Sequence, residues 1–163
     1  MTFMDDTDRR ILDALQSDAT LSNLALAAKV HVSPATCLRR VKGLWEEGLI
    51  ESQVAVVNPE KLATAIGHGL SVIVEVSLER QAAEHLSAFE ARMTNVAAVQ
   101  QCYRVSPGPD FVLVLYAQNM ADYQNISQQL FTLDANVRNV KAFFSIRRSK
   151  FGSKIQVLPR GPA

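Results

Sequence analysis

Two short segments of this 163-residue chain carry residue types that could do chemistry. The first spans residues 29–42 and contains four cations and no anion: Lys29, Arg39, Arg40 and Lys42. An arginine can reach O6 and N7 of guanine in a major groove or bind a phosphate, and hydroxyls and backbone amides can also bind phosphates. A run of charge alone is usually a solvated surface, so the position of this run in the fold decides its meaning.

The second segment is the sequence Ser-Pro-Gly-Pro-Asp at residues 106–110. Its glycine permits close approach of the backbone, its two prolines stiffen the turn, and its backbone amides can meet a carboxylate. Asp110 is the local carboxylate that could pair with an ammonium group. The combination suits a free α-amino acid, although such a turn taken alone is more often a hairpin loop.

The chain offers little for catalysis or metal binding. Its three histidines, His31, His68 and His85, fall in unrelated segments, and Cys37 lies on a predicted core stripe. Neither a phosphate-binding glycine motif nor a metal-ligand spacing occurs. We therefore predict no enzyme, no catalytic residues, no metal and no cofactor. His31 occupies a turn position that needs positive φ, which histidine tolerates, so we interpret it as conformational.

Charge and composition set further limits. The chain has 17 Lys and Arg against 16 Asp and Glu, which excludes a strongly basic nucleic-acid binder but not a locally basic one. The longest apolar runs, residues 70–76 and 111–117, are too short to span a bilayer. The acidic N-terminus differs from a signal peptide, and two cysteines are too few for a disulfide framework. We expect a cytoplasmic protein without a membrane association.

Three predicted helices position the cationic segment. They begin after the capping residues Asp5, Ser22 and Ser33, and Pro34 adds a strong start signal to the third helix. The second and third helices are joined by the short turn at residues 31–33, and the third runs to about Glu47. Two helices with so tight a turn form a helix-turn-helix, whose second helix can lie in a major groove.

The faces of the third helix agree with this interpretation. Cys37, Val41 and Leu44 share one face and should be buried, whereas Thr36 and Arg40 share another. The residues predicted to face DNA are Ser33, Pro34, Ala35, Thr36, Arg39, Arg40 and Lys42. After this helix, residues 49–50 and 53–57 are predicted to form a short strand pair, a wing. The alternative is a helical bundle that docks on another protein.

The second half of the chain predicts a βαββαβ order, which is the ferredoxin-like arrangement. The strands are predicted at residues 71–78, 96–105, 111–117 and 137–149, and the helices at 80–93 and 120–133. Both crossovers lie on the same side, so helices cover one face of the sheet. A second copy of the sheet is the simplest cover for the other face, which predicts a homodimer. The basic run at residues 138–160 is interpreted as a solvated tail, against the alternative of extra phosphate contacts.

Several motifs together resemble the Lrp/AsnC (feast/famine) family of transcription regulators. They are Asp5-x-x-Asp8-x-x-Ile11-Leu12, Leu21-Ser22-Asn23-Leu24-x-Leu26-Ala27, Ser33-Pro34-x-x-Cys37-Leu38-x-Arg40-Val41, Gly48-x-Ile50, Asn58-Pro59, the Ser106/Gly108/Asp110 loop and Met120-x-x-Tyr123. The resemblance covers about residues 3 to 150. Departures from the family pattern are His31 in place of a glycine, Arg39 in place of an acidic residue, and the two prolines of the loop.

The resemblance implies an α+β chain with an N-terminal winged helix-turn-helix and a C-terminal ferredoxin-like βαββαβ domain of the RAM or ACT type. The corresponding limits are residues 1–60 for the DNA-binding domain, 61–68 for a linker, 69–150 for the effector and oligomerisation domain, and 151–163 for a basic tail. It also implies homodimers that assemble into octamers or similar rings.

The resemblance further implies an amino-acid effector, leucine or methionine, bound between dimers. The residues expected near it are Tyr103, Val105, Ser106, Gly108, Pro109, Asp110 and Gln128. The alternative function is an amino-acid-sensing module that acts through protein partners instead of DNA.

Overall fold

The computed structural model describes residues 4–67 and 69–157, which separate into two units. The first unit comprises the described residues up to Val56 together with the segment that starts at Lys150. The second comprises Val57–Ser149. The predicted limits give a DNA-binding domain at 1–60 and a separate tail at 151–163, whereas this division follows Val56 and joins the segment from Lys150 to the first unit. His68 and the end of the predicted tail, beyond Val157, lie outside the described residues.

The three N-terminal helices begin at the predicted capping residues. They are α1 (Asp6–Ser17), α2 (Asn23–Val30) and α3 (Pro34–Glu46). The side chain of Asp5 accepts hydrogen bonds from the amides of Thr7 and Asp8, at 2.8 and 2.9 Å. Ser22 and Ser33 accept one amide each in the same way. These bonds satisfy amides that have no partner inside the helix, so the start of each helix is fixed locally.

The turn between α2 and α3 depends on His31, which adopts the left-handed conformation with φ of 59°. This conformation lets its amide bond to the carbonyl of Ala28 while the amide of Val32 bonds to that of Ala27. Such bonds satisfy the last carbonyls of a helix and reverse the chain sharply. The predicted conformational role of His31 is confirmed.

All three helices contribute to the core of the first unit. The buried residues are Ile11, Leu12 and Ala14 from α1, Leu26, Ala27 and Val30 from α2, and Cys37 and Leu44 from α3. Val41 is partly buried against them. The predicted inward stripe of α3 is therefore confirmed, and it fixes which side of α3 faces outward.

The predicted strand pair of the wing does not form in this chain. Residues 50–58 adopt neither helix nor strand, and Val54, Val56 and Val57 are exposed. A strand needs a neighbour for its backbone groups, and none of the described residues pairs with this segment as a strand. The helix-turn-helix is thus followed by an irregular segment whose valines are exposed.

The predicted linker at 61–68 is also different, because α4 (Pro59–Ile66) occupies most of it. Asn58 accepts a hydrogen bond from the amide of Lys61 through its side chain, at 3.1 Å. Pro59 then occupies the first helical position, where its missing N–H has no cost. The Asn-Pro pair therefore starts a helix here and does not simply break the chain.

The second unit has the predicted βαββαβ order. Its elements are β1 (Leu70–Leu78), α5 (Ala83–Met93), β2 (Val99–Arg104), β3 (Phe111–Ala117), α6 (Met120–Ser127) and β4 (Val137–Phe144). The four strands are antiparallel in the order β2-β3-β1-β4. A π-helical turn, Gln128–Thr132, continues α6. The structure thus starts α5 and β2 three residues later than predicted and ends β4 five residues earlier.

Helices pack on one face of this sheet only. The strands contribute eight buried residues to that face, among them Val74, Leu113 and Phe111, and the helical layer contributes Phe89, Met93, Tyr123, Leu130 and Phe131. On the other face the alternate positions of β3 stay only partly buried. Within the described part of the chain, no helix is both long and apolar enough to cross a membrane.

Candidate DNA-binding and effector sites

The outward surface of α3 begins at its capped N-terminus. Ser33, Pro34 and Ala35 are exposed, and Thr36 is half-buried. The Ser33 hydroxyl donates to Oγ1 of Thr36 at 2.9 Å. Nδ2 of Asn23, at the start of α2, donates to the carbonyl of Pro34 at 2.9 Å. These bonds fix the N-terminus of α3 against α2, so this end of α3 is a rigid, solvent-facing surface.

Arg39 and Lys42 supply the positive charge of this surface. Both side chains are exposed, and Arg39 has no hydrogen bond or ion pair with any described residue. Lys42 lies 3.5 Å from a carboxylate oxygen of Glu46, one turn further along α3. An exposed pair of this kind contributes little to stability, so both cations remain available to a phosphate or a base edge.

Arg40 has a different environment from the one predicted for it. Its Nη1 lies 2.7 Å from Oδ2 of Asp5 and 2.8 Å from Oδ1 of Asp8, both at the start of α1. The prediction that Arg40 faces DNA is thereby corrected, because its guanidinium bridges two carboxylates of its own unit. The side chain stays 28% exposed, and its contacts join α3 to α1. Arg40 is therefore a positioning residue.

The same cluster perturbs the ionisation of its members. The pKa of the Asp5 carboxyl is lowered first by the hydrogen bond from the Asp8 amide; burial opposes this, and the guanidinium of Arg40 lowers the pKa further. Hydrogen bonds to Asp8 and Asp5 raise the pKa of Arg40. Both shifts favour the charged pair. The sequence predicts only a capping role for Asp5 and not this ion pair, although the Asp-x-x-Asp spacing places both carboxylates at one helix end.

The second candidate site is the loop between β2 and β3. The amide of Val105 bonds to the carbonyl of Asp110, and the amide of Asp110 bonds to the carbonyl of Val76. The peptide bond between Ser106 and Pro107 is cis, and Gly108 has φ of 122°. A side chain at position 108 would be strained in that conformation, so glycine is required there.

Asp110 is already engaged within the chain. Its Oδ2 accepts a hydrogen bond from the amide of Leu78 at 2.7 Å and one from Nε2 of Gln81 at 3.2 Å. Its Oδ1 has no hydrogen bond to a described residue. The carboxylate thus holds the end of β1 and could present one further oxygen to an ammonium group.

The remaining residues of the predicted effector set do not all come together in one chain. Tyr103 is opposite Val112, so it lies on the sheet face that the helices leave open, and its hydroxyl donates to Gln101. Gln128 lies in the helical layer, on the other side of the sheet. Ser106 and Gly108 are exposed in the loop, and Val105 and Pro109 are partly buried. A site that used all these residues would need more than one chain.

Both halves of the chain match known protein families. Residues 4–51 match winged helix-turn-helix DNA-binding domains, and residues 71–155 match the Lrp/AsnC ligand-binding domain. The chain belongs to the Lrp/AsnC family. It is therefore a transcriptional regulator with a DNA-binding helix-turn-helix and a ligand-binding domain, and this family is not an enzyme family.

Individual relatives agree with this assignment. This Lrp/AsnC chain is 37% identical to an uncharacterized HTH-type transcriptional regulator of Haemophilus influenzae over 95% of its length and 90% of that protein. It is 34% identical to the leucine-responsive regulatory protein of Rhizobium meliloti, covering 94% of this chain and 96% of that one. A Neisseria meningitidis transcriptional regulator, solved as an L-methionine complex, matches with a TM-score of 0.78 and 26% identity over 95% and 96% of the two chains.

The helices leave one face of the sheet open in the second unit of this Lrp/AsnC chain. Strand pairing places Phe143, Ile73, Val114 and Gln101 in one row across the four strands. The next row contains Lys141, Glu75, Val112 and Tyr103. Ile73 is 44% exposed and Phe143 is 51% exposed. An apolar row flanked by polar residues is typical of a protein interaction surface.

No group of three or more potential metal-binding side chains occurs among the residues that the structure describes. The thiols also differ from reactive cysteines. Burial raises the pKa of Cys37 and of Cys102, which lowers the fraction of thiolate at neutral pH. The family matches assign DNA binding to residues 4–51 and ligand binding to residues 71–155.

Proposed function

We propose that this Lrp/AsnC regulator binds DNA by inserting α3 into a major groove. The contacting residues are Ser33, Pro34, Ala35, Thr36, Arg39 and Lys42. Arg40 positions α3 by its ion pairs with Asp5 and Asp8 of α1. The observation that carries the proposal is the opposite orientation of two neighbours on α3. Cys37 lies in the core with no exposed surface, whereas the Arg39 guanidinium is exposed and has no partner among the described residues.

The regulator acts as a homodimer that associates through the open sheet face. Burying the row of Ile73, Val114 and Phe143 against its equivalent in a second copy would remove apolar surface from water. A dimer presents two recognition helices, so the DNA site is expected to be roughly palindromic with half-sites near a multiple of ~10 bp. Assembly of dimers into an octamer or similar ring is part of the same proposal.

The effector is a small apolar amino acid, leucine or methionine, bound between dimers near the loop at 106–110. Three features support this assignment: the Lrp/AsnC ligand-binding match, the L-methionine complex of the Neisseria relative, and the free Oδ1 of Asp110. The backbone around Gly108 would meet the carboxylate of the ligand and Asp110 its ammonium. Ligand binding alters DNA occupancy if the ligand has unequal affinity for two assembly states.

DNA recognition is tested by recovering genomic fragments bound to the protein, with and without a pool of amino acids. Arg39→Ala is expected to weaken binding to a recovered fragment by ~1–3 kcal/mol if Arg39 contacts a base edge. Wild-type affinity should fall steeply as salt increases. Recovery of no specific fragments, together with affinity that is insensitive to salt, would instead favour a sensing module that acts through protein partners.

The effector site is tested by isothermal titration calorimetry with leucine and methionine. Asp110→Asn keeps an oxygen acceptor for the Leu78 amide but removes the charge, so ligand binding should weaken at least tenfold while the thermal transition changes little. Glu84→Gln, in the second unit but outside both the loop and the open sheet face, serves as the matched control because its side chain is 81% exposed. Full-strength binding by the Asp110→Asn variant would refute the carboxylate–ammonium contact.

A further inference from the structure

The C-terminal segment occupies a defined place on α1 of the DNA-binding unit. Nε2 of Gln16 donates to the carbonyl of Ile155 at 3.0 Å, and Oε1 of Gln16 accepts from the amide of Ile155 at 2.7 Å. A side-chain amide that bonds both backbone groups of one residue imitates the pairing of two β-strands. The Ile155 side chain itself stays exposed, so Gln16 recognises the backbone and not the residue type.

A charged contact lies beside this backbone contact. The ammonium of Lys154 is 2.8 Å from Oδ1 of Asp13 and donates to Oγ of Ser17 at 2.8 Å. The Ser17 hydroxyl donates its own hydrogen to the carbonyl of Asp13, so its lone pairs are left for Lys154. One side of α1 therefore binds the backbone of Ile155 through Gln16. It also binds the side chain of Lys154 through Asp13 and Ser17.

An apolar contact completes the arrangement. Val157 is partly buried against the core of the first unit, to which α1, α2 and α3 all contribute. The contacts thus involve three residues of one short segment: the ammonium of Lys154, the backbone of Ile155 and the aliphatic side chain of Val157. These contacts differ from the predicted solvated tail, because positions 154, 155 and 157 all contact the first unit.

We propose that the surface of α1 formed by Asp13, Gln16 and Ser17, here called the α1 dock, is a binding site for an extended Lys-Ile-x-Val segment. Its occupant is the C-terminal segment 154–157 of the same chain. The DNA-binding unit therefore includes residues from beyond β4, and the chain connects the two units at two places, after Val56 and after Ser149. Lys154 is neutralised by Asp13 in this arrangement, which removes it from the set of cations available to phosphates.

The dock also gives α1 two separate roles. The start of α1 binds α3 through Arg40, and its last two turns bind the segment that follows β4. A helix held at both ends has fewer orientations than one held at a single end. The segment is consequently expected to reduce the motion of the helix that positions the DNA-contacting surface.

Amide hydrogen exchange of the full-length protein, resolved by NMR, tests the dock. The amide of Ile155 should be protected relative to that of Gly152, which has no backbone partner among the described residues. Gln16→Ala should accelerate exchange at Ile155 about tenfold, whereas alanine cannot weaken α1 because it is the best helix former. Gln124→Ala, an exposed glutamine of α6, is the matched control. Equal exchange at Ile155 and Gly152 in the wild type would overturn the proposal.

Lys154 and the source of the segment need separate measurements. Lys154→Ala should accelerate exchange at Ile155 by a few fold, and Lys150→Ala, in the same segment, should not.

To determine whether the segment docks on its own chain, isotope-labelled Gln16→Ala chains are unfolded and refolded with excess unlabelled wild type. The labelled Ile155 amide should remain unprotected, because its own dock is lost. Recovered protection would show that the segment docks on another chain and would overturn the assignment to the same chain.

Discussion

The two units differ in how much of their apolar surface is covered within one chain. In the first unit, three helices surround a common core, and the residues proposed to contact DNA lie outside it on a surface that needs no further partner. In the second unit, helices cover one face of the sheet and leave Ile73 and Phe143 exposed on the other. The helices of the first unit thus enclose their core within one chain, whereas an apolar sheet face of the second unit stays uncovered.

The two cysteines are natural reporters of this difference, since one lies in each unit. Cys37 has no exposed surface, so it should react only when the first unit opens, about a thousandfold or more slowly than in the unfolded chain. Cys102 is only partly buried and should be much less protected. Thiol labelling of Cys102→Ser and Cys37→Ala variants at pH 8, in buffer and in denaturant, measures the two rates. Rapid labelling of native Cys37 would contradict its inward orientation.

A charge on the open face should separate the copies of the second unit. Ile73→Asp places a carboxylate in the centre of the row of Phe143, Ile73 and Val114, where an unpaired buried charge opposes association. The dimer dissociation constant should rise at least about a hundredfold in sedimentation velocity over a dilution series. Leu133→Asp, at a position that is 72% exposed and outside the sheet, is the control. An unchanged dimer would show that this face is not the interface.

The sequence predicted local features more reliably than partners. Side-chain caps, the left-handed His31 and the inward Cys37 depend on a few neighbouring residues, and all three predictions are confirmed. The same type of start signal gives different predictions at two places. Ser33-Pro34 predicts a helix start and Asn58-Pro59 predicts a chain break, although both pairs start a helix in the structure. Helical periodicity favours a helix in the first case, whereas after Pro59 the apolar i, i+4 pair of Leu62 and Ile66 is followed at once by Gly67, so the helical pattern is short.

Contacts between distant residues could not be predicted from the same information. Nothing in the spacing of α3 distinguishes Arg39 from Arg40 as a DNA contact, because the partner of Arg40 lies 32 residues away at the start of α1. The predicted strand pair at residues 49–50 and 53–57 does not form for a related reason. Alternating valines at 54–57 are typical of a strand, but strand formation requires a neighbour that this chain does not supply among its described residues.

Substitutions of Arg40 and Arg39 separate the positioning of α3 from its proposed contact with DNA. Arg40→Ala leaves Asp5 and Asp8 close together without their shared cation, so the first unit should lose about 1–2 kcal/mol of stability. Arg39→Ala should change its stability by no more than about 0.5 kcal/mol, because that side chain is exposed. Chemical denaturation followed through Cys37 labelling measures both. Equal stability of the two variants would remove the positioning role of Arg40.

The smallest expected effect concerns the pH dependence of the first unit. The folded pKa of Asp5 is lowered, first by the Asp8 amide and then by Arg40, so its contribution to stability is present above the ordinary aspartate pKa of about 3.9. That contribution is lost as pH falls through the lower folded pKa. Asp5→Asn keeps a capping oxygen but cannot ionise, so it should be less stable than wild type at pH 7 and should converge with it near pH 2. The carboxylate of Asp18, whose pKa is lowered chiefly by Thr20, is present in both proteins and cancels in the difference. A stability difference that stays constant between pH 7 and pH 2, measured by denaturation at each pH, would show that the Asp5 charge does not contribute to holding α1 and α3 together.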